Sequence, residues 1–107
     1  MKRHESPDAV RRWFFRQLEA LWPVAAGSLS LRKSPCIRTR CAACETGEQH
    51  ASYVLYGRQA GRRFALYVPY ELAGPLEHAI GNGRAVQALV IEAGQRYLRA
   101  LKAQRRS

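Results

Sequence analysis

The chain has 107 residues, with 18 Lys and Arg against 8 Asp and Glu, which gives a formal charge of +10 at neutral pH. That length supports one small domain, and 47% hydrophobic residues with 8 Gly and 5 Pro exclude wholesale disorder and a collagen-like repeat. No apolar run approaches the roughly 18 residues of a membrane span, and Met1-Lys2-Arg3-His4-Glu5 is followed by no apolar leader stretch, so a cytoplasmic protein is expected.

Residues 8–22 read as a helix. Asp8 after Pro7 is placed to cap the first turn, and Val10, Trp13, Phe14, Leu18 and Leu21 recur at three- and four-residue spacing. Pro23 and then Gly27-Ser28 stop the helix and open an irregular segment that carries all the cysteines through to Gly47. A hairpin follows: residues 51–56 and 62–68 are rich in aromatic and β-branched side chains, and 57–61 supply the turn. Pro69 ends the second strand.

From Tyr70 to Gln104 the pattern is helical again, with Leu72, Leu76, Ile80, Val86, Leu89, Val90, Ala93, Tyr97 and Leu101 on one stripe. Gly81-Asn82-Gly83 would cost a helix about 1 kcal/mol per glycine relative to alanine, so two helices and one kinked helix both fit. The expected fold is α+β within a single domain, 1–107: an N-terminal helix (8–22), a metal knuckle with a β-hairpin (28–69) and a C-terminal helical region (70–104).

A core this small gains from a staple. Cys36, Cys41 and Cys44 are an odd number within nine positions, which suits a disulfide framework poorly and a thiolate metal site well. With His50 they spell C-x4-C-x2-C-x5-H, the four sulfur and nitrogen ligands that a structural Zn2+ takes, and Gly47 lets the chain turn back to deliver the imidazole. With four protein ligands no position is left for water, so the metal is expected to be structural rather than catalytic. The alternatives are a Cys41/Cys44 redox pair and three unrelated buried thiols. His4 and His78 read as ordinary surface residues.

The order of these residues resembles a family of short bacterial and archaeal proteins without a settled activity. Its members have a Cys-x4-Cys-x-Cys-x5-His core whose histidine leads into a Tyr-rich strand, a turn with Gly, a second strand ending in Val-Pro or Ile-Pro, and a long charged helix. Gly27-Ser28-Leu29-Ser30 through Leu101 follow that order, including Gly47-Glu48-x-His50, Ser52-Tyr53-x-Leu55, Tyr67-Val68-Pro69 and Glu71-Leu72. The resemblance implies a zinc-binding module and a mobile-element accessory protein. This chain departs from the pattern in having two residues between Cys41 and Cys44, and in placing Pro75 and Gly81-Asn82-Gly83 where the helix of its likenesses is continuous. Residues 1–26 lie outside it.

The charge has its own implication. Arginine outnumbers lysine 15 to 3, and residues 28–63 carry seven basic side chains against two acidic ones. Three thiolates with one divalent ion leave the balance strongly positive, a field that favours phosphate backbones. Arg32, Lys33, Arg38 and Arg40 bracket the knuckle, and Arg58, Arg62 and Arg63 lie at the hairpin turn. Lys33, Arg38, Arg40, Arg58, Arg62 and Arg63 are therefore the candidate contacts to DNA or RNA. Tyr53, Tyr56, Phe64, Tyr67 and Tyr70 are interleaved with them, as in sites that stack single-stranded bases, although Phe64 and one or two of the tyrosines are expected in the core.

A competing reading is a protein–protein adaptor or homodimer that uses the C-terminal helix, whose stripe is more than a small chain buries alone. Catalysis is not expected. There is no carboxylate pair in a knuckle context, no Ser or Cys beside an evident base and no phosphate-cradling Gly loop, and Glu48 near His50 does not open a site already holding three cysteines. Neither a membrane nor a small-molecule substrate is implied.

Overall fold

The computed structural model describes residues 5–34 and 50–106. Helix α1 spans Pro7–Glu19, strands β1, β2 and β3 span Ser28–Ser34, His50–Gln59 and Arg62–Val68, and a 3-10 turn at Tyr70–Leu72 leads into helix α2, Ala73–Arg106. The architecture is α+β, as the patterning implies. The chain forms two compact units: residues 1–25 with 81–107, and residues 26–80.

In the helical unit, α1 begins one residue earlier than its apolar pattern suggests, because its cap is Ser6. The Ser6 hydroxyl accepts from the Ala9 N–H at 3.0 Å and Pro7 occupies the first turn, where no N–H partner is lost. Asp8 instead sits inside the first turn and pairs with Arg12. The helix ends at Glu19 rather than residue 22, and Trp22–Pro23 is a cis peptide. Val10 is buried, with Trp13, Phe14 and Leu18 half-buried beside it on the expected stripe; Leu89 and Ala100 are the buried apolar residues of α2 in this unit.

One charged cluster ties the two helices. The Arg96 guanidinium lies 3.7 Å from the Trp13 ring centre, donates from Nε to Glu5 Oε1 at 3.0 Å and from Nη2 to Glu5 Oε2, and meets Glu92 at 3.5 Å. The hydrogen bonds from Arg96 hold the Glu5 carboxyl below the ordinary carboxylate range. A depressed carboxyl pKa contributes stability that is fully present above the unfolded value and is lost as pH falls through the folded one. Acidification through the carboxylate range should therefore lower the melting temperature of the native chain more than that of Glu5→Gln, as followed by circular dichroism.

Helix α2 is one uninterrupted element of 34 residues. Pro75 falls in its first turn, where proline is tolerated. Gly83 is where the segment leading from α1 passes closest: a Cβ at this position would run into the Ala25 carbonyl. Asn82 fixes that crossing by donating from Nδ2 to the Pro23 carbonyl at 2.8 Å. Gly83 and Asn82 thus serve close approach rather than a break.

In the sheet unit the strand order is β1-β2-β3, antiparallel throughout. β1 is the element that sequence patterning places in an irregular segment. Its partner β2 runs to Gln59, so the turn shortens from the expected 57–61 to Ala60-Gly61, both at positive φ (52° and 79°), the geometry that matches strand twist. Gly57 remains in the strand because the Phe64 ring covers it and leaves no room for a Cβ. Leu55 and Val68 are buried on the apolar side of the sheet, and among the described residues of this unit Ala73, Ala79 and Ile80 are buried as well.

Candidate nucleic-acid interface

Register decides which side chains share a face, because alternate residues of a strand point to opposite sides. Ser28 stands opposite Tyr56, Ser30 opposite Val54 and Arg32 opposite Ser52; on the other flank Tyr56 faces Ala65, Val54 faces Tyr67 and Arg58 faces Arg63. One side of the sheet therefore presents Ser28, Ser30, Arg32, Ser52, Val54, Tyr56, Arg58, Arg63, Ala65 and Tyr67. The other presents Leu29, Leu31, Tyr53, Leu55, Phe64, Leu66 and Val68, with Arg62 and Gln59 at its turn end. The first is a cationic, aromatic surface and the second an apolar one.

On the cationic face Arg32 donates from Nη2 to the Tyr56 hydroxyl at 2.6 Å, and its guanidinium carbon lies 5.7 Å from the centre of the Tyr56 ring. That contact holds the ring and the charge together. Arg58 and Arg63 are directly paired across β2 and β3, exposed, and line one cavity of about 350 Å³ together with Ser28, Tyr56, Gly57 and Phe64. Like charges directly opposite each other on a sheet destabilise it, so the pair gains when an anion lies between the two guanidinium forks. Tyr67 is 70% exposed on the same face.

The three strands carry Arg32, Lys33, Arg58, Arg62 and Arg63 and no Asp or Glu. Among the described residues no carboxylate pairs with Arg32, Arg58 or Arg63; the ion pairs there lie within the helical unit, at Glu5, Asp8 and Glu92. Among the described residues the surface is thus uncompensated positive charge beside accessible rings.

Of the residues singled out from the sequence, Arg58 and Arg63 come together and Arg62 does not: one residue from Arg63 along the strand, it falls on the apolar side. Lys33 lies on β1 opposite Ala51, and His50 is the first residue of β2, opposite Ser34. Cys36, Cys41, Cys44, Arg38 and Arg40 lie outside the described residues. The tyrosines divide by register. Tyr56 and Tyr67 are on the cationic face, whereas Tyr53 is half-buried with its ring 6.2 Å from that of Tyr70. Arg32 is the addition to the candidate set. Its signal was the alternation Ser28-Leu29-Ser30-Leu31-Arg32, which is the period of a strand with one wet face.

The Ser34–His50 pair places both ends of the fifteen-residue stretch 35–49 at one end of the sheet. The donor set of that stretch, three thiols with His50 at its close, fits tetrahedral Zn2+ in ligand type and number. Among the described residues there is no cluster of three potential metal ligands, and no helix is long and apolar enough to cross a membrane. Compared with family models, curated proteins and solved structures, the chain matches none.

Proposed function

We propose that this chain is a small zinc-stabilised module that binds single-stranded DNA or RNA across the cationic face of its sheet. The observation that carries the reading is the convergence of Arg32, Arg58 and Arg63 with Tyr56 and the exposed Tyr67 on one face that holds no carboxylate among the described residues. Guanidinium forks neutralise successive phosphates while aromatic rings accept bases, and a strand spacing of about 4.8 Å sets the contacts at intervals that an extended backbone can follow. No base-reading pattern accompanies them, so affinity comes from phosphate neutralisation and stacking. The likeness to short zinc-binding proteins found beside mobile-element genes fits an accessory role for such a module.

Zinc supplies no chemistry in this reading beyond holding Cys36, Cys41, Cys44 and His50 together. Because His50 opens β2 opposite Ser34, a metal tied to it braces the β1–β2 end of the interface. Purified protein should carry about one equivalent of zinc, and Cys44→Ser should release it and lower the unfolding midpoint. Substoichiometric metal with an unchanged Cys44→Ser variant overturns the metal assignment.

The binding reading is tested by fluorescence anisotropy of labelled single- and double-stranded oligonucleotides at several salt concentrations. Single strands should bind more tightly, with a steep salt slope. Affinity no greater than that of an unrelated small basic protein removes the proposal.

A further inference from the structure

The helical unit carries a second surface of a different kind. Between α1 and the C-terminal part of α2 lies an open apolar cavity of about 730 Å³, lined chiefly by Val10, Phe14, Phe15, Val90, Gly94 and Tyr97. Gly94 forms part of its floor, and a Cβ there would meet nothing within 4 Å. The apolar surface continues along α2: Val90 is 54% exposed, Tyr97 49%, Leu98 51% and Leu101 39%. Residues 90 to 101 cover about 16 Å of helix, the length of three turns of a partner helix laid alongside. Such a groove between two helices is the shape that takes the apolar face of a third.

Charge selects the occupant. The helical unit, residues 1–25 with 81–107, holds eleven basic and four acidic side chains. Glu5 and Glu92 are engaged with Arg96, and Asp8 with Arg12. Arg16, Arg99, Lys102 and Arg105 have no carboxylate partner among the described residues. A second copy would bring the same excess of positive charge against itself, whereas a helix with acidic flanks meets it with opposite sign. We infer that this groove docks an acidic amphipathic helix of another protein, its apolar residues spaced i, i+3/i+4, i+7 in the groove and its carboxylates toward the arginines. The module would then join a nucleic acid on one unit to a protein partner on the other.

The probe is a labelled 20-residue peptide with Leu and Phe at those spacings and Glu elsewhere, titrated by anisotropy with the full chain. The peptide should bind and gain helicity by circular dichroism. A composition-matched peptide with scrambled spacing should bind at least tenfold more weakly. Gly94→Leu puts a bulky side chain into the groove from a Cβ position with nothing within 4 Å and should reduce binding at least tenfold, as should Val90→Glu, which sets a carboxylate against the acidic peptide at an exposed position. Arg58→Ser/Arg63→Ser should leave peptide affinity unchanged, which separates this site from the sheet face and lets either proposal fail alone. Equal binding of the scrambled peptide, indifference to both groove variants, a concentration-dependent dimer in sedimentation that excludes the peptide, or stronger binding to phosphatidylserine vesicles than to the peptide would overturn it.

Discussion

Replacing Arg58 and Arg63 together with serine is expected to weaken binding of a single-stranded oligonucleotide by about 30- to 100-fold at low salt, while leaving the unfolding midpoint nearly unchanged. Both side chains are exposed and lie opposite each other on β2 and β3, so their loss removes two adjacent phosphate contacts and relieves a like-charge pair. The salt dependence is the sharper readout. For single strands log K falls with log salt at a slope of about 0.7 per neutralised phosphate, so the double variant should flatten it by about 1.4. Arg62→Ser is the control that net charge alone cannot mimic. It removes the same charge from the neighbouring position of β3, on the apolar side of the sheet, and should cost less than about threefold. Equal losses for Arg62→Ser and Arg63→Ser would mean that affinity follows total charge and that the cationic face is not the site.

That control is also a measure of what the sequence can say. A basic hairpin tip was evident from composition, and so was the interleaving of tyrosine with arginine, yet composition cannot sort Arg62 from Arg63. Sorting needs the register, and the register depends on where β2 stops. The sequence places Gly57 in the turn because glycine is a turn former. In the structure the Phe64 ring lies over Gly57 and the reversal moves to Ala60-Gly61. Three residues of strand, 57–59, thereby become available, and Arg58 passes from a loop to the face it shares with Arg63. β1 is lost to sequence reading for a related reason: its serines make an apolar alternation look like a loop, and its partner lies beyond a fifteen-residue connection. Helix α1 and the helical character of the C-terminal region were plain, because apolar residues at 3.6-residue spacing signal locally and need no partner strand; that the latter is one continuous helix rather than two is what the structure adds. The C-x4-C-x2-C-x5-H quartet is a pattern of the sequence alone, since its three cysteines lie outside the described residues; of its members the fold places only His50, opposite Ser34.

The two glycines of Gly81-Asn82-Gly83 should respond to alanine with opposite signs. Glycine inside a helix costs about 1 kcal/mol relative to alanine, and at Gly81 a new Cβ meets nothing within 4 Å. Gly81→Ala should accordingly stabilise the chain by about that amount. At Gly83 the same methyl group would enter the Ala25 carbonyl. That backbone cannot shift freely, because the neighbouring Pro23 carbonyl is held by Asn82 Nδ2 at 2.8 Å. The overpacking penalty then exceeds the gain in helix propensity, and Gly83→Ala should destabilise by about 2–3 kcal/mol. For a chain near 100 residues each kcal/mol moves the melting temperature by about 4–8 °C, so the two variants should differ by well over 10 °C. Urea denaturation of both variants checks this directly. Matching gains would show that the segment at Pro23–Ala25 does not rest on α2, and the helix would then carry its glycines for no packing reason.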